Sequence, residues 1–342
     1  MRRSAGRVHK ERMNAVVVVG GGIIGLSSAL EIARAGLRVS VVDKGEPGGE
    51  ASGAAAGILG PQSEAHGPGP MLDLCRRSFE MYGDWVAQLK AEVGYERCGT
   101  LHLAFTGAEA DALAAVRDWQ QAQGLRAELR NDARARVALW LPDEGRVDSR
   151  RLIAALRAEL EKRGVPVHKS EVGRLDRVDG ELAVVAAGAW SGPIAGCRVQ
   201  PVRGQLLLID VPPPPSVVFG AGGYLVPRDG RTLVGATVEH VGFDKSTTRE
   251  ARVKLEAVAA RLGASGPVVD HWAGLRPGTT DGLPLLGKTE WGDIVVTGHY
   301  RNGILLAPVT AAIVRALALG ERPPVDLKPF APDRPLPATF PR

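Results

Sequence analysis

The chain has 342 residues, 44% of them apolar and 24% charged, which is the composition of a globular protein of about two domains with ample length for a buried core. Its formal charge of +5 comes mostly from Arg2, Arg3, Arg7, Lys10 and Arg12. The remaining body is near neutral and lacks the electrostatic footprint of a nucleic-acid-binding protein. Cys75, Cys98 and Cys197 show neither C-x-x-C nor Cys/His spacing, which argues against a disulfide framework or a zinc site and fits reduced thiols in a cytoplasmic protein.

Residues 1–12 are expected to be a disordered extension, because Met13 directly precedes the first periodic segment. Ala15 to Val19 reads as an apolar strand running into Gly20-x-Gly22-x-x-Gly25. A helix follows to about Ala35, Gly36 suits its C′ position, and a second strand, Leu37 to Val42, ends on Asp43. Gly20 permits the tight turn, Gly22 lets a pyrophosphate approach the positive end of the helix, and Gly25 allows close helix–strand packing. Asp43, 23 residues after Gly20, is placed to accept ribose hydroxyls and to repel a 2′-phosphate. The ligand this predicts is FAD or NAD. A signal peptide or membrane anchor is the alternative for so apolar a stretch, but three spaced glycines and a strand ending on an acid fit a nucleotide-binding crossover better.

The small-residue stretch Gly45 to Gly57 suits a backbone that wraps a ligand closely. Leu72, Cys75, Phe79, Tyr82, Val86 and Leu89 have helical spacing, and a strand (Thr100 to Phe105) and a helix (about Ala108 to Gln121) follow. Asp148 and Ser149 offer an N-cap for a helix to Arg163, stopped by Gly164. Short strands at Val165 to Val167 and Leu182 to Ala186 resume βα alternation. Val199 to Val238 is strand-rich, with Pro212 to Pro215 as a stiff connector and a turn at Asp229-Gly230. A strand at Asp293 to Val296 and an apolar helix after Asn302 come next; the run Gly303 to Val314 contains Pro308 and is too short to span a membrane. Residues 322–342 are expected to lie extended on the surface.

The fold this predicts is α/β. A Rossmann-type nucleotide domain is assembled from 13–70, 146–197 and 276–334, with an inserted α+β substrate domain, a mixed or antiparallel sheet plus helices, from 71–145 and 198–275. Such an interleaved layout favours a site at the domain interface.

Gly20 to Gly25 with Asp43, then Glu50-Ala-Ser-Gly-Ala-Ala-Ala-Gly57, Ala187-Gly-Ala-Trp-Ser191, Pro201-Val-Arg-Gly-Gln205, Tyr224-Leu-Val-Pro-Arg228, Gly274-Leu-Arg-Pro-Gly278 and Gly298-His-Tyr-Arg-Asn-Gly-Ile304 occur in the order found in the D-amino-acid-oxidase-like flavoenzymes. The chain resembles that family over about residues 13 to 334, most of all its glycine oxidase branch, which supplies an imine for thiazole formation in thiamine synthesis. The resemblance implies FAD rather than NAD. It implies cofactor contacts from Gly20, Gly22, Ile23, Ile24, Gly25, Asp43 and Lys44, from Ser52, Ala55 and Gly57, from Val172, Gly188 and Trp190, and from Gly298, Asn302, Gly303 and Ile304. The last helix would direct its N-terminal N–H groups at the flavin pyrimidine and stabilise the charge of the reduced ring.

The implied reaction moves hydride from a small amino acid's α-carbon to flavin N5, gives an imine, and lets dioxygen reoxidise the flavin with release of hydrogen peroxide. Such chemistry needs the substrate carboxylate held so that the α-carbon faces N5, and an arginine fork grips a carboxylate through two hydrogen bonds. Arg276 matches the family's carboxylate-binding arginine, Tyr224 its hydroxyl partner and Arg301 a second arginine near the site. Trp190 is expected to pack beneath the cofactor, and His299 either touches the flavin or packs against backbone.

The chain departs from the family pattern between Val167 and Ala186, where a three-stranded excursion is shortened to His168–Glu181; this bears on Val172 and on cover of the adenine end. Two other readings remain open from the residues. One is a related flavin dehydrogenase for sarcosine, proline or a D-amino acid with another electron acceptor; the other is a non-catalytic dinucleotide-binding protein. The expected partners are a small amino acid and dioxygen, with neither nucleic acid nor membrane; a homo-oligomer is compatible with the family.

Overall fold

Ala15–Val19 runs through the middle of a six-stranded sheet, which is why it is apolar along its whole length: a strand covered on both faces has no polar side to show. The computed structural model describes residues 15–65, 67–175 and 182–339. The extension at 1–12 and residues 176–181 of the shortened stretch lie outside them. The strand order is Leu285–Lys288, Ile294–Thr297, Leu182–Val185, Ala15–Val19, Arg38–Asp43, Val167–Lys169. Every pairing in this sheet is parallel except that between the first two strands. Parallel neighbours require crossovers, and the helix Ile23–Arg34 supplies the first of them, packing against the C-terminal helix Ala307–Leu319.

The chain divides into two compact units: the described residues of Met1–Gly53, Leu152–Pro201 and Arg276–Arg342, and those of Ala54–Arg151 and Val202–Leu275. Segments 54–70 and 146–151, expected in the nucleotide domain, fall in the second unit instead. The reason is visible in the pairing of Ile58–Leu59 with Gly145–Arg146, which ties both segments to each other.

The second unit holds most of an eight-stranded, mainly antiparallel sheet. Its order is Val268–Gly278, Gln200–Ile209, Arg231–Gly235, Gly223–Arg228, Val217–Gly220, Thr100–Ala104, Val137–Leu141, Glu128–Arg130. One face packs Leu207, Ile209, Val218, Leu225 and Val234 against Leu255, Val258 and Leu262 of the segment around helix Arg249–Arg261. Each such fully buried aliphatic side chain stabilises the unit by roughly 1.5–3 kcal/mol. The helix Gly107–Ala122 starts in a complete capping box of Thr106 and Glu109.

Two local expectations change. The strand expected at Val165 to Val167 forms at Val167–Lys169, in register with Val41, Val42 and Asp43. The C-terminal segment is not merely extended on the surface: Lys328–Phe330 forms a 3-10 turn with Phe330 2% exposed, and the Arg334 guanidinium pairs with Asp281 at 2.8 Å. Among the described residues no helix is long and apolar enough to cross a membrane.

Candidate functional site

Gly20 sits at φ +113, and a Cβ there would lie 2.4 Å from the Ala186 carbonyl oxygen. At Gly25 a Cβ would lie 1.8 Å from the carbonyl oxygen of Gly20. Neither position accepts any other residue, because the turn folds backbone on backbone. Gly22 is different: it is the helix N-cap, makes no side-chain cap, and a Cβ would meet only Ser52 Oγ at 3.1 Å. Its glycine leaves room rather than relieving strain. Ser52 accepts the Ile23 N–H at 3.0 Å, while Ile24 is buried in the first turn.

Asp43 ends its strand with both carboxylate oxygens bonded to backbone, Oδ2 accepting from Gly21 N at 2.6 Å and Oδ1 from Gly45 N at 2.7 Å. Each oxygen keeps a second lone pair that can take a ligand hydroxyl. Lys44 Nζ lies 3.8 Å over the ring of Trp190, at the end of the 3-10 turn Gly188–Trp190. Val172 is a partly buried side chain against the Val19, Val185 and Ile194 cluster. A helix N-terminus whose own N-cap residue is a glycine, with a carboxylate at the adjacent strand tip, fits a dinucleotide without a 2′-phosphate.

In the same unit the Tyr300 N–H donates to the Pro277 carbonyl at 2.9 Å, so the segments carrying Arg276 and Arg301 are neighbours. Gly298, at φ +75, has no room for a Cβ, which would lie 2.6 Å from Thr279 Cγ2. Tyr300 is left-handed at φ 49, a conformation costing a tyrosine on the order of 1–2 kcal/mol; it turns the chain so that Arg301 is exposed, its guanidinium 5.3 Å from the Tyr300 ring. Arg276 is half-buried. His299 is buried, its Nε2 3.1 Å from Thr310 Oγ1, and burial pulls its pKa down to about 3. Asn302 donates to the His299 carbonyl and accepts from Leu306 N, both at 2.8 Å, making with Gly303 and buried Ile304 a turn before the helix. That helix starts only at Ala307, where Pro308 suits a first turn.

In the second unit Tyr224 is half-buried, its ring edge-on to Phe219 at 5.8 Å, and Phe219 stacks on His102 at 4.6 Å. Gly235 makes the slot for that tyrosine, since a Cβ would lie 2.4 Å from its ring. Gly57, at φ +84, lies so close to the Val147 carbonyl that a Cβ would be 1.9 Å away, and neighbouring Ala55 accepts from Ser149 Oγ at 2.8 Å.

One centre was not foreseen from the sequence. Glu144, fully buried, accepts from Gln62 N at 2.6 Å and Ser63 N at 2.7 Å, and from the hydroxyls of Ser63 and Thr100. Ser63 Oγ also lies 2.8 Å from His102 Nε2. Burial pushes the Glu144 carboxyl up to about 7 despite these donors, and holds half-buried His102 down at about 4. In Pro142-Asp-Glu-Gly145 the glutamate reads as part of a polar surface turn, and no local signal marks it otherwise.

A family model described as FAD dependent oxidoreductase (DAO) matches residues 15–317. The chain is 36% identical to the glycine oxidase of Pseudomonas aeruginosa, covering 93% of this chain and 98% of that one. It is also 36% identical to the bifunctional ThiO/ThiG protein of Synechocystis sp., covering 95% of this chain but 55% of the relative, so it spans about half of that longer protein. The crystal structure of glycine oxidase from Geobacillus kaustophilus superposes with a TM-score of 0.89 at 31% identity, covering 95% of this chain and all of that one. With the glycine turn, the acid at the strand tip and the matched span in hand, the chain belongs to the family of FAD-dependent oxidoreductases of the D-amino-acid-oxidase type.

Proposed function

We propose that this enzyme oxidises glycine or a similarly small amino acid to its imine, with dioxygen as the final acceptor and hydrogen peroxide as co-product, and that the imine serves thiazole formation in thiamine synthesis. The observation that carries the substrate reading is the Tyr300–Pro277 bond, which makes neighbours of two arginine-bearing segments in a chain similar to glycine oxidases over nearly its whole length. When bound, FAD supplies a two-electron acceptor at N5 for the hydride leaving the substrate α-carbon.

The chain's own residues supply binding and orientation. Arg276 grips the substrate carboxylate through its planar fork, which fixes the α-carbon, and Arg301 adds a second positive charge that attracts the anion. Tyr224 offers a phenolic hydroxyl to the same carboxylate. Gly20, Gly22, Ile23, Ile24 and Gly25 hold the pyrophosphate at the helix N-terminus, Asp43 takes ribose hydroxyls, and Lys44, Ser52, Ala55, Gly57, Val172, Gly188, Trp190, Gly298, Asn302, Gly303 and Ile304 complete the cofactor contacts.

The test is to add glycine, sarcosine or D-alanine to the purified yellow protein without oxygen, then to admit oxygen. Bleaching near 450 nm followed by stoichiometric peroxide supports the reading. Bleaching with no peroxide on aeration would make the enzyme a dehydrogenase, and no bleaching with any of the three would remove the amine-oxidising proposal.

A further inference from the structure

Four successive carbonyls, those of Ala54 to Gly57, are all claimed by donors from distant parts of the second unit. Trp272 Nε1 donates to Ala54 at 3.1 Å, Ser149 Oγ to Ala55 at 2.8 Å, and Val147 N to Gly57 at 2.8 Å. The Arg228 Nη2 nitrogen reaches two neighbours at once, Ala55 at 3.4 Å and Ala56 at 3.1 Å. In a trans peptide the carbonyl of one residue and the N–H of the next point in opposite directions. Because the carbonyls of Ala55 and Ala56 converge on one guanidinium nitrogen, the N–H groups of Ala56 and Gly57 emerge together on the far side. Both residues are buried, and among the described residues neither N–H has a hydrogen-bond acceptor. Two adjacent buried donors without a protein partner call for an acceptor on a ligand.

We infer that Arg228, held by Asp148, is a positioning residue that aims the Ala56 and Gly57 N–H pair at hydrogen-bond acceptors of the flavin ring. Arg228 is 8% exposed and Asp148 6%, with Nε and Oδ2 3.4 Å apart. Asp148 is itself fixed, since its Oδ1 caps the following helix through Arg150 N at 2.9 Å and Arg151 N at 3.0 Å. One carboxylate therefore anchors both a helix start and the guanidinium that orients two peptide planes. The inference rests on the reading that FAD meets this segment, and it adds Ala56, which the sequence did not single out.

The experiment compares R228M and R228K with the wild-type holoenzyme. R228M is expected to raise the FAD dissociation constant about tenfold and to lower the flavin midpoint potential, because donors aimed at the ring favour its reduced, more negative form. R228K, which keeps the charge beside Asp148 and one donating nitrogen, is expected to lie between the two. In FAD-free protein, amide exchange over 55–58 should be faster in R228M than in wild type. Wild-type FAD affinity and potential in R228M overturn the inference; if R228M does not fold, the same wild-type values in R228K with unchanged amide exchange overturn it. Failure of the parent reading looks different, since the wild-type protein itself would then hold no FAD or remain yellow with every amine.

Discussion

The turn after Ala15–Val19 excludes side chains, with Gly20 and Gly25 pressed against backbone carbonyls, whereas the Ala54–Gly57 segment and the Gln62–Ser63 turn of the second unit are held by the side chains of Arg228, Ser149, Trp272 and Glu144. In the first arrangement Gly25 meets the nearby Gly20 carbonyl, and Gly20 meets the carbonyl of Ala186 at the end of a paired strand, so only backbone is involved. The second gathers donors and acceptors more than eighty residues apart. A surface built from backbone depends on the absence of atoms, and one built from buried side chains depends on complete hydrogen bonding, so they should fail in different ways.

The largest expected effect is on the backbone-built turn. G25A should lose at least about 3 kcal/mol of stability and retain no FAD, because the new methyl has nowhere to go; thermal unfolding and the 450 nm absorbance measure both. G22A sharpens the contrast, as it should leave the FAD-free protein within about 1 kcal/mol of wild type while weakening FAD binding. Equal destabilisation by the two substitutions would mean that Gly22 is fixed by packing rather than by the ligand.

Next is R276L, which should lower kcat/KM for the amine substrate by roughly a hundredfold or more through loss of a bidentate charged contact, with FAD content unchanged. Unaltered steady-state kinetics would take Arg276 out of the site.

E144Q probes the buried network of the second unit. The Glu144 carboxyl is raised from 4.5 in the unfolded chain to about 7, so the folded state binds the extra proton, and this group's contribution falls as pH rises from about 4.5 to about 7. The span corresponds to at most about 3 kcal/mol. His299, held near 3 against 6.5 unfolded, acts in the opposite sense: its contribution is complete above about 6.5 and is lost as pH falls toward 3. The informative quantity is thus the stability of wild type minus that of E144Q, which should decline with pH between 4.5 and 7 and level off above. A flat difference would show that Glu144 is not protonated in the folded state. Smallest is S52A, which removes the acceptor for Ile23 N–H and should cost about 1 kcal/mol by thermal unfolding.

The glycine turn, the acid at Asp43, the helix Ile23–Arg34 and the Asp229-Gly230 turn were legible because each shows as a short pattern of residue types along the chain, even where, as at Gly20, the contact that requires it comes from far away. Two errors share one cause. Phe330 is an isolated aromatic in a proline-rich tail, and segment 54–70 is tied to the 144–149 stretch by a two-residue strand pairing and by scattered polar contacts; neither carries a periodic pattern. Arg228 stood inside a quoted motif, but nothing in Leu-Val-Pro-Arg-Asp-Gly distinguishes an arginine that pairs in solvent beside a turn from one buried against Asp148.

Local chemistry, then, determined by sequence alone that a nucleotide loop exists, since φ > 0 and contact between backbones are satisfied by glycine and by little else. Only tertiary structure decided which polar groups are buried and what they face. Burial is set by chain segments that meet from far apart, and it is burial that turns an ordinary glutamate at 144 and an ordinary arginine at 228 into groups whose every hydrogen bond has consequences.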